Sequence, residues 1–220
     1  MSMQEMVGAP LLDGVAEEGR KKEIESNRST DEAEPVTITV SVPFLFNVAA
    51  ISGGLGCILT LIIAVHLKQL PLWPLKNISQ YAAKYPGIWL FRFCCALCGF
   101  CTVAVGYFGY LKQTDRSKFG WAAIFCGLGI TGAGIVSCTE FNTLHLTFAV
   151  IFFVAGGVLS SLEAAYKRSC LMALSSLVIW ISLIGIVVLA AEGKTGSALL
   201  SIFEWTVAAL LLGLMLFMGR

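Results

Sequence analysis

Hydrophobic residues are gathered into six long runs along the chain, and short polar segments separate these runs. Because roughly 20 helical residues cross a hydrocarbon core of about 30 Å, runs of this length are typical of transmembrane helices. The third run is the shortest of the six. The pattern predicts an all-α polytopic membrane protein, a bundle of six transmembrane helices that lie near residues 43–67, 88–111, 120–137, 143–162, 170–191 and 198–218.

The first 35 residues have a different pattern. They are rich in Glu, Lys, Ser and Asn and contain few large apolar residues, so they cannot bury enough apolar surface to offset the entropy of ordering. Their nine acidic and four basic residues give a net charge of −5. We therefore predict a disordered, acidic cytoplasmic tail over residues 1–35 and a single six-span membrane domain over residues 36–220.

The composition excludes a soluble domain, because 57% of the residues are hydrophobic and only 13% are charged. Beyond the tail, 11 basic and five acidic residues give a net charge of +6. These basic residues are spread between the apolar runs rather than gathered into a stripe, so a nucleic-acid partner is not expected. Membrane lipids are the expected partners, and the tail over residues 1–35 is a candidate contact for cytosolic proteins.

The orientation is predicted from the basic residues, which are retained on the cytoplasmic side during insertion. Six spans place both termini on one face. That face carries ten Lys and Arg residues, whereas the opposite face carries five. Both termini are therefore predicted to be cytoplasmic. The long connection over residues 66–87 then lies on the outer or lumenal side, where three prolines hold it extended: Pro71, Pro74 and Pro86.

The outer connection contains the tripeptide Asn77-Ile78-Ser79, which has the pattern of an N-glycosylation acceptor. On the predicted topology Asn77 faces the lumen, although it lies close to the membrane. Asn77 is therefore a candidate glycosylation site.

Two motifs suggest cofactors but favour helix packing. Gly127-Leu128-Gly129-Ile130-Thr131-Gly132 matches a dinucleotide fingerprint, yet it lies inside an apolar run with no preceding strand. Glycine in such a run lets neighbouring helices approach closely. Four cysteines of the second run have the spacing of a cluster-binding site but lack its fourth ligand, so we predict no metal and no cofactor. They are Cys94, Cys95, Cys98 and Cys101.

Ionisable residues inside the apolar runs are the most informative, because a charge in hydrocarbon costs at least about 2.5–3.5 kcal/mol and marks a function or a partner. Arg92, Glu140, His145 and Glu204 all lie toward the predicted outer side. Three interpretations remain open. The residues form structural contacts, such as an Arg92–Glu204 pair and an Asn142–His145 cap, they bind a lipid headgroup, or they carry acyl chemistry with His145 as the base.

Several short segments also resemble a known family. They are Ile78-Ser79-Gln80, Tyr85-Pro86, Trp89-Leu90-Phe91-Arg92-Phe93-Cys94, Leu144-His145, Tyr166 and Phe203-Glu204-Trp205. In order and spacing, from about residue 44 to residue 217, they resemble the DRAM/Frag/Sfk family of six-span membrane proteins. The resemblance identifies Ile78, Ser79, Tyr85 and Pro86 as the outer-loop signature of that family.

The resemblance implies a multi-pass protein of lipid or membrane homeostasis. Branches of the family act in autophagy modulation at the lysosome, in lipid remodelling of GPI anchors in the Golgi and ER, and in phosphoinositide supply at the plasma membrane. Arg92 resembles the GPI-remodelling branch, but Pro86-Gly87 and Leu111-Lys112 depart from the usual signatures. The branch, the compartment and the presence of enzyme activity stay open. The alternative function is a non-catalytic scaffold that recruits cytosolic factors through its tail and loops.

Overall fold

The structure is a computed structural model that describes residues 41–111, 113–136, 138–139, 141–194 and 197–219. The predicted tail over residues 1–35 lies outside these ranges. The described residues form seven α-helices and contain no strand. The helices are α1 (Val42–His66), α2 (Ile78–Ala82), α3 (Gly87–Ala104, continued by a π-helix over Val105–Leu111), α4 (Ser117–Ile135), α5 (Asn142–Lys167), α6 (Cys170–Ala191) and α7 (Ala198–Met218).

Six of these helices, all except the short α2, are long and apolar enough to cross a membrane. The predicted all-α bundle of six transmembrane helices is therefore confirmed, and the chain is an integral membrane protein. Many of the largest apolar side chains point away from the bundle, for example Phe100 at 70% exposure and Leu171 at 68%. In a membrane these side chains contact lipid.

Two helix boundaries differ from the prediction. Helix α4 begins at Ser117 rather than near residue 120. Helix α5 continues to Lys167, past residue 162, where the fourth apolar run was predicted to end. Glu163 and Lys167, four residues apart, form a salt bridge of 3.0 Å that supports this last part of the helix.

The six long helices pack in a ring that follows their order in the chain. Each packs against the next, from α1 to α3, α4, α5, α6 and α7, and α7 closes the ring against α1. Helix α5 also contacts α7 across the bundle. Consequently α5 and α7 both face the interior, and side chains from these two helices meet there.

Glycines lie where helices approach most closely. A Cβ atom added to Gly127 of α4 would lie 2.6 Å from the carbonyl oxygen of Gly99 in α3, and one added to Gly129 would clash with the backbone of Phe152 in α5. The run from Gly127 to Gly132 is helical throughout. The prediction that these glycines serve helix packing is therefore confirmed.

The short helix α2 is anchored at one end of the bundle, which we call the α2 end. The hydroxyl of the fully buried Tyr81 donates to the carbonyl oxygen of Pro71 at 2.8 Å. Nε1 of Trp205 in α7 donates to the carbonyl oxygen of Lys76 at 3.0 Å, and the rings of Tyr81 and Trp205 meet edge to face. These contacts hold α2 against α7.

Candidate functional site

A cavity of about 450 Å³ lies at the α2 end, between α2 and helices α5, α6 and α7. Polar and apolar side chains line it together. The polar group comprises Asn77, Ser79, Gln80, Cys138, Thr139, Asn142, His145 and Glu204, and the apolar group comprises Leu146, Ala149, Val150, Phe153, Ile186, Ala190 and Leu200. We call this space the α2-end cavity.

Two smaller cavities adjoin the α2-end cavity. One, of about 70 Å³, extends toward Cys57 and Cys95 in the middle of the bundle. The other, of about 20 Å³, lies beside Arg92. Ser79 and His145 line all three cavities. These two side chains therefore lie where the three spaces meet.

Glu204 reaches the α2-end cavity from α7, about 9 Å along the helix from Ala198. Its carboxyl group lies beside the backbone of Ile78 and Ser79 in α2. The ion pairs found in the described part of the chain do not include Glu204. Glu204 is thus an acid inside the membrane domain with no described cation within 4 Å.

His145 lies one turn into α5 and is oriented by a backbone contact. Its Nδ1 atom is 2.9 Å from the carbonyl oxygen of Val136. A carbonyl only accepts hydrogen bonds, so Nδ1 carries the proton in the neutral ring and Nε2 keeps a free lone pair. The Asn142–His145 cap is not formed, because the His145 ring bonds to Val136 and α5 has no side-chain cap at its N-cap position, Phe141.

Arg92 lies in the first turns of α3, beside the smallest cavity. Its guanidinium carbon is 5.2 Å from the ring centre of Trp89. Its Nε atom is buried and has no hydrogen-bond partner among the described residues. The predicted Arg92–Glu204 pair is not formed, because the two groups adjoin different cavities and Glu204 faces the backbone of α2 instead.

Cys138 is a cavity residue that the sequence analysis did not single out. Its thiol donates to the carbonyl oxygen of Ser79 at 3.4 Å. Burial raises the pKa of Cys138, and the hydrogen bond to Ser79 offsets only part of this effect. The thiol is therefore neutral and a weak nucleophile at neutral pH. Its position directly after the third apolar run, on the predicted outer side, was the available signal.

The remaining predicted residues fall into two groups. Ile78 and Ser79 line the cavities, whereas Tyr85 and Pro86 are exposed on the connection to α3. The candidate acceptor Asn77 is half-buried, and its Oδ1 atom accepts a hydrogen bond from the hydroxyl of Ser201 in α7. Glu140 lies outside the described residues.

A further buried acid lies at the opposite end of the bundle. Glu163 follows the predicted fourth apolar run, but it is 3% exposed and belongs to α5. Lys167 pairs with one carboxylate oxygen, and the other oxygen, Oε2, has no partner within the described chain. The salt bridge to Lys167, in the last turn of α5, is sufficient to explain Glu163, which therefore has a structural role.

The α2 end therefore brings polar and apolar groups together. It combines an acid without a described cationic partner, a guanidinium without a described acidic partner, an imidazole and an apolar wall. Among the described residues, no group of three or more His, Cys, Asp or Glu side chains is arranged to hold a metal ion. Comparison of the chain with protein-family models, curated proteins and solved structures finds no match.

Proposed function

We propose that this integral membrane protein binds a membrane lipid, with the headgroup in the α2-end cavity. The observation that carries the proposal is the mixed lining of one cavity within a transmembrane bundle. Glu204, His145 and Ser79 lie at its polar part, and Phe153 and Ile186 belong to its apolar part. A volume of about 450 Å³ falls within the range of ligand pockets.

The excess of basic residues on the opposite face favours an outer or lumenal position for the α2 end. A lipid of the outer or lumenal leaflet would then enter the cavity. The resemblance to the DRAM/Frag/Sfk family supports the same general role in lipid homeostasis. Lipid remodelling, phosphoinositide regulation and autophagy remain specific forms of this proposal.

The proposed activity is binding rather than catalysis. The free lone pair of His145 Nε2 meets one requirement of a general base. A nucleophile hydrogen-bonded to that atom is the second requirement. No such bond links His145 to Ser79 or Cys138 in the described structure, and Cys138 donates to a backbone carbonyl instead.

The proposal is tested by filling the cavity. Ala149 lines both the α2-end cavity and the adjoining apolar cavity, whereas Ala209 is exposed on α7. Ala149→Phe is expected to remove most co-purifying lipid, as measured by native mass spectrometry, because the larger ring occupies the space. Ala209→Phe makes the same change on the lipid-facing surface and is expected to leave retention unchanged.

Wild-type protein that retains no lipid, or equal retention by both variants, would contradict the proposal. A truncation that lacks residues 1–35 separates binding from the scaffold alternative. It is expected to retain the lipid, since every residue that lines the cavity lies beyond the tail. A scaffold would instead lose its cellular function with the tail and show no dependence on Ala149.

A further inference from the structure

Two charged groups without a described ionic partner lie on either side of Ser79 and His145. Arg92 adjoins the smallest cavity, and Glu204 adjoins the α2-end cavity. We propose that the bound lipid is a zwitterionic phospholipid whose headgroup carries a primary ammonium, with the phosphate at Arg92 and the ammonium at Glu204. This inference rests on the proposed function, because it names the class of lipid that the same site binds.

Arg92 provides the phosphate end of the site. Its Nε–H donor is buried without a hydrogen-bond partner in the described structure, which leaves an unsatisfied charged group inside the protein. The planar guanidinium matches the oxygens of a phosphate. The cavity beside it, about 20 Å³, has room for one oxygen the size of a water molecule. A phosphodiester oxygen in that cavity would satisfy the donor.

Glu204 provides the ammonium end. The carboxyl group of Glu204 lies beside the backbone of Ile78 and Ser79, and no described cation lies within 4 Å to pair with it. An ammonium has three N–H donors. Ser79 and the free Nε2 of His145 line the same cavity and are further acceptors. A primary ammonium in this cavity would therefore have Glu204 and two further acceptors for its three donors.

The surroundings of Glu204 favour a primary ammonium over a trimethylammonium group. Quaternary ammonium ligands are recognised by cages of aromatic rings. The described lining of the α2-end cavity includes one benzene ring, that of Phe153, and the indole of Trp205 is engaged with the backbone of Lys76. Hydrogen-bond acceptors outnumber aromatic faces there. An ethanolamine-type headgroup fits this chemistry better than a choline-type headgroup.

The test compares lipids that share their acyl chains and differ only in the headgroup. Purified protein is mixed with phosphatidylethanolamine, phosphatidylcholine, phosphatidylglycerol and diacylglycerol, and bound lipid is counted by native mass spectrometry. Phosphatidylethanolamine is expected to be retained about tenfold more than phosphatidylcholine and phosphatidylglycerol, which is the effect of one charge-assisted hydrogen bond, and roughly a hundredfold more than diacylglycerol, which lacks both the phosphate and the ammonium.

Variants of Arg92 and Glu204 test which residue binds the phosphate and which binds the ammonium. Arg92→Gln is expected to lower retention of both phosphatidylethanolamine and phosphatidylglycerol about tenfold, while Arg92→Lys keeps only part of it, because the charge remains but the Nε–H donor and the planar guanidinium are lost. Glu204→Gln is expected to bring phosphatidylethanolamine down to the level of phosphatidylglycerol. Lys84 lines none of the three cavities, and Lys84→Gln, which removes an outer charge, is expected to change the retention of neither phosphatidylethanolamine nor phosphatidylglycerol.

Equal retention of phosphatidylethanolamine and phosphatidylglycerol by the wild type would overturn the headgroup assignment. The same conclusion would follow if a folded Glu204→Gln variant kept the full preference. If that variant does not fold, the wild-type comparison of headgroups still decides, since it needs no substitution. Neither failure touches the Ala149→Phe result, so loss of lipid binding and loss of headgroup choice are distinguished.

Discussion

At the scale of single residues, Asn77 shows how a sequence motif and a structural role compete. Its Oδ1 atom accepts from Ser201, a residue that is 1% exposed, and its side chain lines the α2-end cavity. For Nδ2 to carry a glycan, the Asn77 side chain would have to leave its contact between α2 and α7. The Asn77 side chain is thus positioned to hold α2 against α7 rather than to receive a glycan.

We therefore expect Asn77 to carry no glycan. Treatment with an N-glycosidase should leave the electrophoretic mobility of the wild-type protein unchanged, and Asn77→Gln should migrate with it. A mobility shift that the glycosidase abolishes, and that Asn77→Gln lacks, would show that the site is occupied.

The sequence identified the individual site residues better than their pairing. The rule that charges inside apolar runs mark function selected Arg92, His145 and Glu204, and the structure places all three on adjoining cavities. The expected Arg92–Glu204 ion pair is not found among the described residues, because the two side chains line different cavities. Which cavity a side chain lines depends on how the helices pack, so it cannot be read from residue types.

At the scale of elements, the six long helices were predictable because each is an apolar run of sufficient length. Helix α2 was not, since a helix of five residues is marginal by its own propensity. Its position depends on Tyr81, Trp205 and Ser201, and two of these lie more than 120 residues away in the chain. The C-terminal end of α5 was not predicted either, because its last turns lie beyond the apolar run and are supported by the Glu163–Lys167 salt bridge.

Removing one anchor of α2 should loosen it without unfolding the bundle. The hydroxyl of Tyr81 donates to Pro71 and accepts from the N–H group of Lys76. Tyr81→Phe removes these bonds, which contribute about 1 kcal/mol, so trypsin should cleave after Lys76 roughly fivefold faster. Tyr85→Phe is the matched control, because Tyr85 is 71% exposed. Equal cleavage rates for the two variants would contradict the anchoring role of Tyr81.

At the scale of the whole molecule, the orientation in the membrane is tested by cysteine labelling. Cys170 is the exposed cysteine and lies at the end opposite α2, whereas the other seven are buried or half-buried. With both termini cytoplasmic, a membrane-impermeant maleimide should label Cys170 in sealed microsomes, and Cys170→Ser should abolish the signal. Burial raises the pKa of Cys138, so little thiolate forms there at pH 7 and its labelling should be slow. Labelling of Cys170 only after detergent treatment would show that Cys170 and both termini lie on the lumenal side.

The hydrogen bond between Asn77 and Ser201, which joins α2 to α7, also has a consequence for biosynthesis. Asn77 and Ser201 are 124 residues apart in the chain. At about 5–20 residues per second, a ribosome takes roughly 6 to 25 seconds to translate that interval. The early helices must therefore wait in the membrane with the α2 segment undocked and the cavity without its α7 wall. The α2-end cavity is complete only when the last helix is inserted, so a chain stalled before α7 would lack it.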